Sequence, residues 1–232
     1  MFNILLSMAK DGSSDVPTFV TPGRSSRDNM INTVYKLHRT RGRILEPYRR
    51  LKNGLKKLQD DYLKGKDDNP ILRYMKLQQS VREVVMLEKQ YWKLLDIPLQ
   101  DGGEESNEYV VKVIQLLEDS NSAAVPATGI GALLSSTMMG RVTETKLDQS
   151  LYDSIKARKT DELTKDCEMM YSSLYKLIKK YLGLRRIVKE LSNRYDTTRI
   201  YPIVPRYAML KKMIKSALRS SEFADICHEQ TE

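Results

Sequence analysis

A run of apolar residues spaced alternately four and three positions apart constrains the fold of this chain more than any other feature. The spaced positions extend from Leu163 to Tyr195, and none of them is occupied by a charged residue. This spacing places all its members on one face of a helix and is typical of a helix that packs along its length against another. We predict a helix over 162–198, about 55 Å long at about 1.5 Å per residue. Its predicted packing seam includes Leu174, Leu177, Leu184, Val188 and Leu191.

A second run with the same spacing extends from Val34 to Tyr62, and Arg41 is its only charged member. Pro47 lies inside this run and lacks the N–H group that an interior helical residue donates, so we expect it to bend the helix. The pattern predicts either one bent helix over 29–64 or two helices joined at Glu46. The packing seam of this segment consists of Leu37, Ile44, Leu51, Leu55 and Leu58.

Pro70 marks the predicted start of a return helix. Gly65 and the polar residues 66–69 end the preceding helix, and proline is favoured at a first helical position, with Asp68 or Asn69 as the cap. A connection this short joins antiparallel helices, so residues 29–97 are predicted to form a helical hairpin. The return arm adds Leu77, Val81, Val84 and Tyr91 to the packing seam.

Two stretches of the chain resemble each other: NPILRYMKL at 69–77 and VPRYAMLKKM at 204–213. Each places Arg-Tyr after a proline at the head of an amphipathic run. Pro202 and Pro205 end the long helix because a residue before proline favours extended backbone, and Pro205 opens a second return arm. We predict a second helical hairpin within 144–228. The likeness is interpreted as the product of shared packing demands rather than of duplication.

The remaining segments differ in composition. Residues 1–28 are predicted to be a disordered tail, since Gly, Ser, Pro, Asp and Thr bury too little apolar area to offset the entropy of ordering. Residues 98–119 are interpreted as an acidic linker with a short helix, 120–143 as a flexible loop and domain boundary, and 229–232 as a tail. The predicted fold is therefore all-α, with two antiparallel, coiled-coil-like helical hairpins packed as a bundle or against partner chains.

The charge of the chain indicates acidic partners. There are 39 Lys and Arg residues against 30 Asp and Glu, a formal net charge of +9. Basic residues recur at one heptad position of the first long helix, beside others at the neighbouring position. They are interpreted either as an ordinary solvated surface or as a basic docking face for phosphates or acidic proteins. This predicted basic face comprises Lys36, Arg43, Arg49, Arg50, Lys56 and Lys57.

The sequence shows no recognisable catalytic chemistry, so we expect a protein that is not an enzyme and has no cofactor. Cys227 and His228 are adjacent, but a zinc site needs a second pair of ligands, and no metal site is predicted. Two cysteines are too few for a disulfide framework and fit a reducing compartment. The apolar stretch MFNILLS is too short to cross a bilayer, so no membrane association is expected.

Thr21 lies in Thr-Pro-Gly-Arg, which resembles a site for proline-directed cell-cycle kinases, and it is a candidate phosphosite. Together with the basic charge, this site favours a nuclear protein, with a cytoplasmic location as the alternative. We hypothesise a non-enzymatic helical adaptor or scaffold subunit of a nuclear or chromosome-associated assembly. It would bind partner helices through its hairpin seams and acidic partners through its basic face. The alternative is a protein that binds nucleic acid directly through the basic hairpin faces.

Overall fold

The computed structural model describes residues 17–20, 23–65, 69–91, 106–122 and 148–228. Within these ranges every regular element is a helix, which confirms the predicted all-α class. A 3-10 helix at Thr198–Ile200 follows the fifth α-helix directly. The α-helices in chain order are α1 (Ser26–Lys64), α2 (Pro70–Tyr91), α3 (Ser106–Ser122), α4 (148–156 of the described residues), α5 (Thr160–Thr197), α6 (Ile203–Leu218) and α7 (Ser221–His228).

Side chains next to the helix starts satisfy backbone N–H groups that have no partner inside the helix. The Asn69 Oδ1 atom accepts a hydrogen bond from the N–H of Ile71 at 2.9 Å, so Asn69 is the cap of α2, and Pro70 is its first residue. The Ser25 hydroxyl oxygen accepts from the N–H of Asp28 at 3.2 Å at the start of α1. These local interactions explain why two of the helices begin where they do.

Helix α1 is continuous through Pro47, which is buried. The alternative of two helices joined at Glu46 is therefore wrong. The ion pair between Glu46 and Arg50, 2.7 Å long, spans the proline on the exposed side of the helix. A single missing N–H is tolerated here because the apolar residues on either side of Pro47, Ile44 and Leu51, are both buried in continuous helical register.

The chain divides into two compact units. Unit 1 comprises residues 1–43 and 97–176, and unit 2 comprises residues 44–96 and 177–232. The division falls inside α1 and inside α5, so these units differ from the predicted hairpins at 29–97 and 144–228. The predicted loop and boundary at 120–143 and the predicted tail at 229–232 lie outside the described residues.

Unit 1 has a core formed by α1, α4 and the first part of α5. Its central cluster consists of Ile31, Val34, Ile155, Leu163 and Cys167. Helix α3, which the sequence predicts at 107–119, buries one face in this unit. The buried side chains of that face are Tyr109, Val110, Val111, Val113, Ile114 and Leu117.

Residues 17–20 belong to unit 1 and differ from the predicted disordered tail. Phe19 is buried, and its N–H donates to the Thr33 hydroxyl at 3.0 Å. The Tyr171 hydroxyl donates to the carbonyl oxygen of Pro17 at 2.6 Å, and the Lys36 ammonium lies 4.5 Å from the centre of the Phe19 ring. One buried aromatic ring and two backbone hydrogen bonds are sufficient to order a segment whose composition predicts disorder.

In unit 2, the last part of α1 and helix α2 form an antiparallel pair. Lys57 and Glu83 form an ion pair of 2.7 Å, and the Ser80 hydroxyl donates to Asp61. The residue numbers on α1 increase as those on α2 decrease, as an antiparallel hairpin requires. Helix α7 buries Phe223, and its Glu222 forms an ion pair with Arg186 of α5, 3.6 Å long.

Candidate protein-interaction site

The predicted packing seam lies inside the two units. Its described side chains are buried in the structure, so the seam forms the core and does not present them to a partner helix. The side chain of Tyr91 lies outside the described residues. The buried seam residues are Leu37, Ile44, Leu51, Leu55, Leu58, Leu77, Val81, Val84, Leu174, Leu177, Leu184, Val188 and Leu191.

The residues of the predicted basic face differ from one another in exposure and in pairing. In unit 1, Lys36 and Arg43 are only partly exposed, and Lys36 packs over the ring of Phe19. In unit 2, Arg50 pairs with Glu46 and Lys57 pairs with Glu83. The hydrogen bond between Lys57 and Glu83 raises the pKa of Lys57 and lowers the pKa of Glu83.

The paired members of this face are still accessible. The side chains of Arg50 and Lys57 are 51% and 61% exposed, Arg49 is exposed and Lys56 is partly exposed. Ion pairs at such exposure contribute only about 0–1 kcal/mol, so they would yield readily to a competing anion. In unit 2 the basic face is thus partly paired with carboxylates and remains accessible to solvent.

Several apolar residues beyond the predicted seam are also buried within their own units. Ile31 belongs to the core cluster of unit 1, and Val85 is buried in unit 2. Among the apolar side chains of α2 that face solvent, Met86 lies near the end of the helix, and three others lie in its first turns. Ile71, Leu72 and Met75 are 65%, 57% and 59% exposed. We call these three residues the α2 apolar surface.

The two Arg-Tyr stretches occupy equivalent positions in unit 2. Arg73 donates from Nη2 to the carbonyl oxygen of Tyr62 at 3.1 Å, near the end of α1. Arg206 donates from Nε to the carbonyl oxygen of Tyr201 at 3.1 Å, before the start of α6. Each arginine therefore ties the start of its helix to the backbone of the preceding segment, whose last carbonyl groups have no partners within a helix. The two arginines thus have similar structural tasks, as the interpretation of shared packing demands would require.

Comparison of the chain with family models, with curated proteins and with solved structures finds no significant match. The proposals below therefore depend on the geometry and charge of the described residues.

A groove of about 460 Å³ in unit 2 is lined by α2, the end of α5, the 3-10 helix and the start of α6. Its lining includes three arginines and a single acidic residue, Asp196. We call it the arginine groove. It is lined by Gln78, Arg82, Val85, Met86, Tyr195, Asp196, Thr198, Arg199 and Arg206.

Tyr195 positions two of the arginines of this groove. Its hydroxyl accepts a hydrogen bond from Nε of Arg82 at 2.9 Å, and the guanidinium of Arg199 lies 5.7 Å from the centre of its ring. Arg199 also forms an ion pair of 3.2 Å with Asp196. Because Tyr195 is buried, this arrangement rests on a fixed side chain. A planar guanidinium held in this way retains further donors for a ligand.

Three exposed aliphatic residues lie in the segment that carries Arg199 and Arg206. Ile200, Ile203 and Val204 are 82%, 62% and 79% exposed. The arginine groove leaves little signal in the sequence because its residues are distributed over four elements. One signal was present in the sequence: Pro202 and Pro205 precede Arg206, and the aliphatic residues Ile203 and Val204 lie between the two prolines.

Other candidates give no chemical site. His38 is partly buried, and burial lowers its pKa, with Arg158 acting in the same direction. The described residues contain no group of three or more potential metal ligands. Among the described helices, none is both long and apolar enough to cross a bilayer. Thr21, the candidate phosphosite, lies outside the described residues.

Proposed function

We propose that this protein is a non-enzymatic helical adaptor, a subunit of a larger assembly, and that it binds a partner helix through the α2 apolar surface. The observation that carries the proposal is the exposure of Ile71, Leu72 and Met75, each more than half exposed, at positions i, i+1 and i+4 of α2. Met75 lies one turn beyond Ile71, and Leu72 lies within about 100° of both around the helix axis, so the three side chains share one broad face. A partner helix with an apolar face would remove them from water.

The alignment of α2 along α1 makes this surface rigid. Tyr74 and Leu77, on the opposite face of α2, are buried, and Arg73 is bonded to the end of α1. A preorganised surface loses little conformational entropy on binding. We also propose that the two predicted helical hairpins pack as a bundle or against partner chains.

We place the adaptor in the nucleus, in a chromosome-associated assembly, with a cytoplasmic location as the alternative. The net charge of +9 and the Thr-Pro-Gly-Arg sequence at 21–24 support this location. Phosphorylation at Thr21 would add negative charge beside Arg24 and so weaken contacts between this segment and an acidic partner. Mass spectrometry of the protein from cells arrested in mitosis tests the modification.

The adaptor function is tested with Met75→Glu, and Met169→Glu is its matched control. Both methionines are exposed, 59% and 63%, but Met169 lies on α5 in unit 1. Tagged wild-type and variant chains are purified from cells, and their partners are quantified by mass spectrometry. We expect partners that Met75→Glu loses and Met169→Glu retains, with helical circular dichroism unchanged. Identical partner sets for both variants would contradict the proposal.

Direct binding of nucleic acid through the basic face is the second candidate function. Its support is the exposure of Arg49, Arg50 and Lys57. Neutralised phosphates release counterions, so the affinity for duplex DNA or RNA should fall steeply with salt. Reversing the charge of Lys36, Arg43, Arg50 and Lys57 should abolish this binding in fluorescence anisotropy. Unchanged affinity would rule out the basic face as the binding surface.

A further inference from the structure

We propose that the arginine groove binds an acidic peptide segment of a partner protein in which carboxylates lie next to an aliphatic side chain. The inference rests on the proposed adaptor function and names the chemistry of a partner for a second surface of unit 2. It concerns residues distinct from the α2 apolar surface, so the two can be tested separately.

The charges of the groove favour a carboxylate ligand. Arg82, Arg199 and Arg206 line it, against the single carboxylate of Asp196. The Asp196 side chain is itself 55% exposed and is paired with Arg199, so it offsets only part of the positive charge. Guanidinium groups bind carboxylates through two parallel hydrogen bonds, which is the strongest and most directional pairing available to an arginine.

The arginines are held in place before any ligand binds. Arg82 is bonded to the Tyr195 hydroxyl through Nε. Arg206 is bonded to the carbonyl oxygen of Tyr201 through Nε and Nη2, at 3.1 and 2.7 Å. Its Nη2 also donates to the carbonyl oxygen of Arg199 at 2.5 Å, so Nη1 is the amino group left for a ligand. In both residues a terminal amino group remains available in the guanidinium fork. Binding would therefore restrict few additional side-chain rotations.

The apolar part of the groove favours a peptide over a simple phosphate. Val85 and Met86 contribute aliphatic surface to the lining, and Met86 is 56% exposed. The exposed Ile200, Ile203 and Val204 belong to the segment that also carries Arg199 and Arg206. Arginine beside apolar surface is the composition of the energetically dominant part of many protein interfaces. A free anion would leave the aliphatic lining of Val85 and Met86 in water, whereas a peptide could cover it and extend toward the aliphatic residues outside the groove.

The experiment begins with a random peptide library displayed on phage and selected on the immobilised full-length chain. We expect enrichment of peptides with Asp or Glu next to Leu, Ile, Val or Phe. Selected peptides are then synthesised with a fluorescent label, and their affinity is measured by fluorescence polarisation. Replacing their acidic residues by the corresponding amides should remove binding. Enrichment of peptides without carboxylates, or of no peptides, would overturn the proposal.

The double variant Arg82→Gln/Arg199→Gln tests whether the peptides bind in the groove. Arg219→Gln is the control, because Arg219 is exposed on unit 2 outside the groove. Each lost charge-assisted hydrogen bond should weaken peptide binding about tenfold or more. Tyr195→Phe keeps the ring but removes the hydroxyl that holds Arg82, so we expect a smaller loss. Equal affinity of the double variant and the control would overturn the proposal. Circular dichroism confirms that each variant remains helical.

A single-stranded oligonucleotide of matched charge is the competing ligand in the same assay. If the oligonucleotide binds and its affinity falls in Arg82→Gln/Arg199→Gln, while the acidic peptides do not bind, the groove is a phosphate site and the proposal is wrong. The acidic peptides could fail to bind while Met75→Glu still loses cellular partners. That result would contradict the groove proposal and leave the adaptor proposal intact. The peptides could instead bind while Met75→Glu leaves the cellular partners unchanged. That result would contradict the proposed role of the α2 apolar surface and support the groove.

Discussion

Tyr74 and Tyr207 meet edge to face in unit 2, with ring centroids 6.1 Å apart and ring planes at 83°. They are the tyrosines of the two Arg-Tyr stretches, which are separated by more than 100 residues in the sequence. Tyr74 is buried on α2, and Tyr207 is partly buried on α6. The contact joins the starts of two helices that each begin with a proline-led segment.

We expect the two rings to be energetically coupled. Edge-to-face aromatic pairs contribute about 0.5–1.5 kcal/mol beyond the area they bury. Urea unfolding of Tyr74→Leu, Tyr207→Leu and the double variant should give a coupling free energy in this range. Tyr35, which packs against Tyr152 in unit 1, supplies the control. Tyr74→Leu combined with Tyr35→Leu should be additive, and a coupling near zero for Tyr74 with Tyr207 would show that the contact is energetically neutral.

Two glycines of α1 should respond differently to alanine. A Cβ at Gly42 would meet nothing within 4 Å, so Gly42→Ala should raise the free energy of unfolding by about 0.5–1 kcal/mol through helix propensity. A Cβ at Gly54 would lie 3.0 Å from Leu87 Cδ1 and 3.4 Å from Val84 Cγ2. The gain should therefore be absent or reversed in Gly54→Ala. Urea unfolding measures both, and equal stabilisation would mean that α2 accommodates the methyl group without cost.

Two buried tyrosines of unit 1 should respond oppositely to the loss of their hydroxyls. Tyr171→Phe removes the hydrogen bond to Pro17 and leaves its carbonyl oxygen without that donor. A cost of about 1 kcal/mol follows, together with faster proteolysis of the segment around Phe19. The Tyr109 hydroxyl is buried and finds no hydrogen-bond partner among the described residues. Tyr109→Phe should therefore be neutral or stabilising by up to about 1 kcal/mol.

Thermal and urea unfolding of these variants check the signs, and limited proteolysis with N-terminal sequencing locates the released segment. Tyr109 also has a ring contact with Tyr175, which phenylalanine preserves, so the substitution isolates the hydroxyl. A destabilised Tyr109→Phe would mean that this hydroxyl has a partner elsewhere. An unaltered cleavage rate in Tyr171→Phe would mean that Phe19 alone anchors the segment.

The Cys167 thiol should contribute to the loss of stability in alkaline solution. Burial raises its pKa from 9.0 to about 12 in the folded protein, with Asp166 adding to the shift. The raised value means that folding favours the neutral thiol. Its contribution is complete below pH 9, where the unfolded thiol is also neutral, and is lost progressively as pH rises from 9 to about 12.

Urea unfolding at several pH values compares wild type with Cys167→Ala. The variant should be less stable at pH 7 because it leaves a cavity, but its stability should decline less between pH 9 and 11. Burial also raises the pKa of Tyr109 to about 12, so a shared alkaline decline remains in both proteins. Parallel curves would exclude the thiol as the cause. In a Cys227→Ser background, Cys167 should react with iodoacetamide only after unfolding.

The sequence predicted most helices because their evidence is local. The spacing of Leu174, Leu177 and Leu184 identifies a helical face wherever the helix packs, and Asn69 before Pro70 identifies a helix start. Helix α7 was missed because eight residues contain too few turns to show a period, although its Phe223 is buried. Residues 17–20 were missed because their order depends on Tyr171, which lies far along the chain.

The candidate site was predicted only in part. Basic residues of α1 could be read as a stripe, but the pairing of Lys57 with Glu83 depends on the packing of α2 against α1. The arginine groove was not predictable, since Arg82 and Arg199 come together only through the hydroxyl and ring of Tyr195. Long-range contacts of this kind leave no periodic signal in the sequence.

By itself, the sequence determined that this chain is helical, where its long helices run and which of their faces avoid water. Those properties follow from the side chains of residues three or four positions apart, which share one face of a helix whatever that helix packs against. The tertiary structure decided which faces meet, so that α1 and α5 each contribute to two units and Tyr74 reaches Tyr207. An apolar face specifies burial but no particular neighbour, because the hydrophobic effect has no direction.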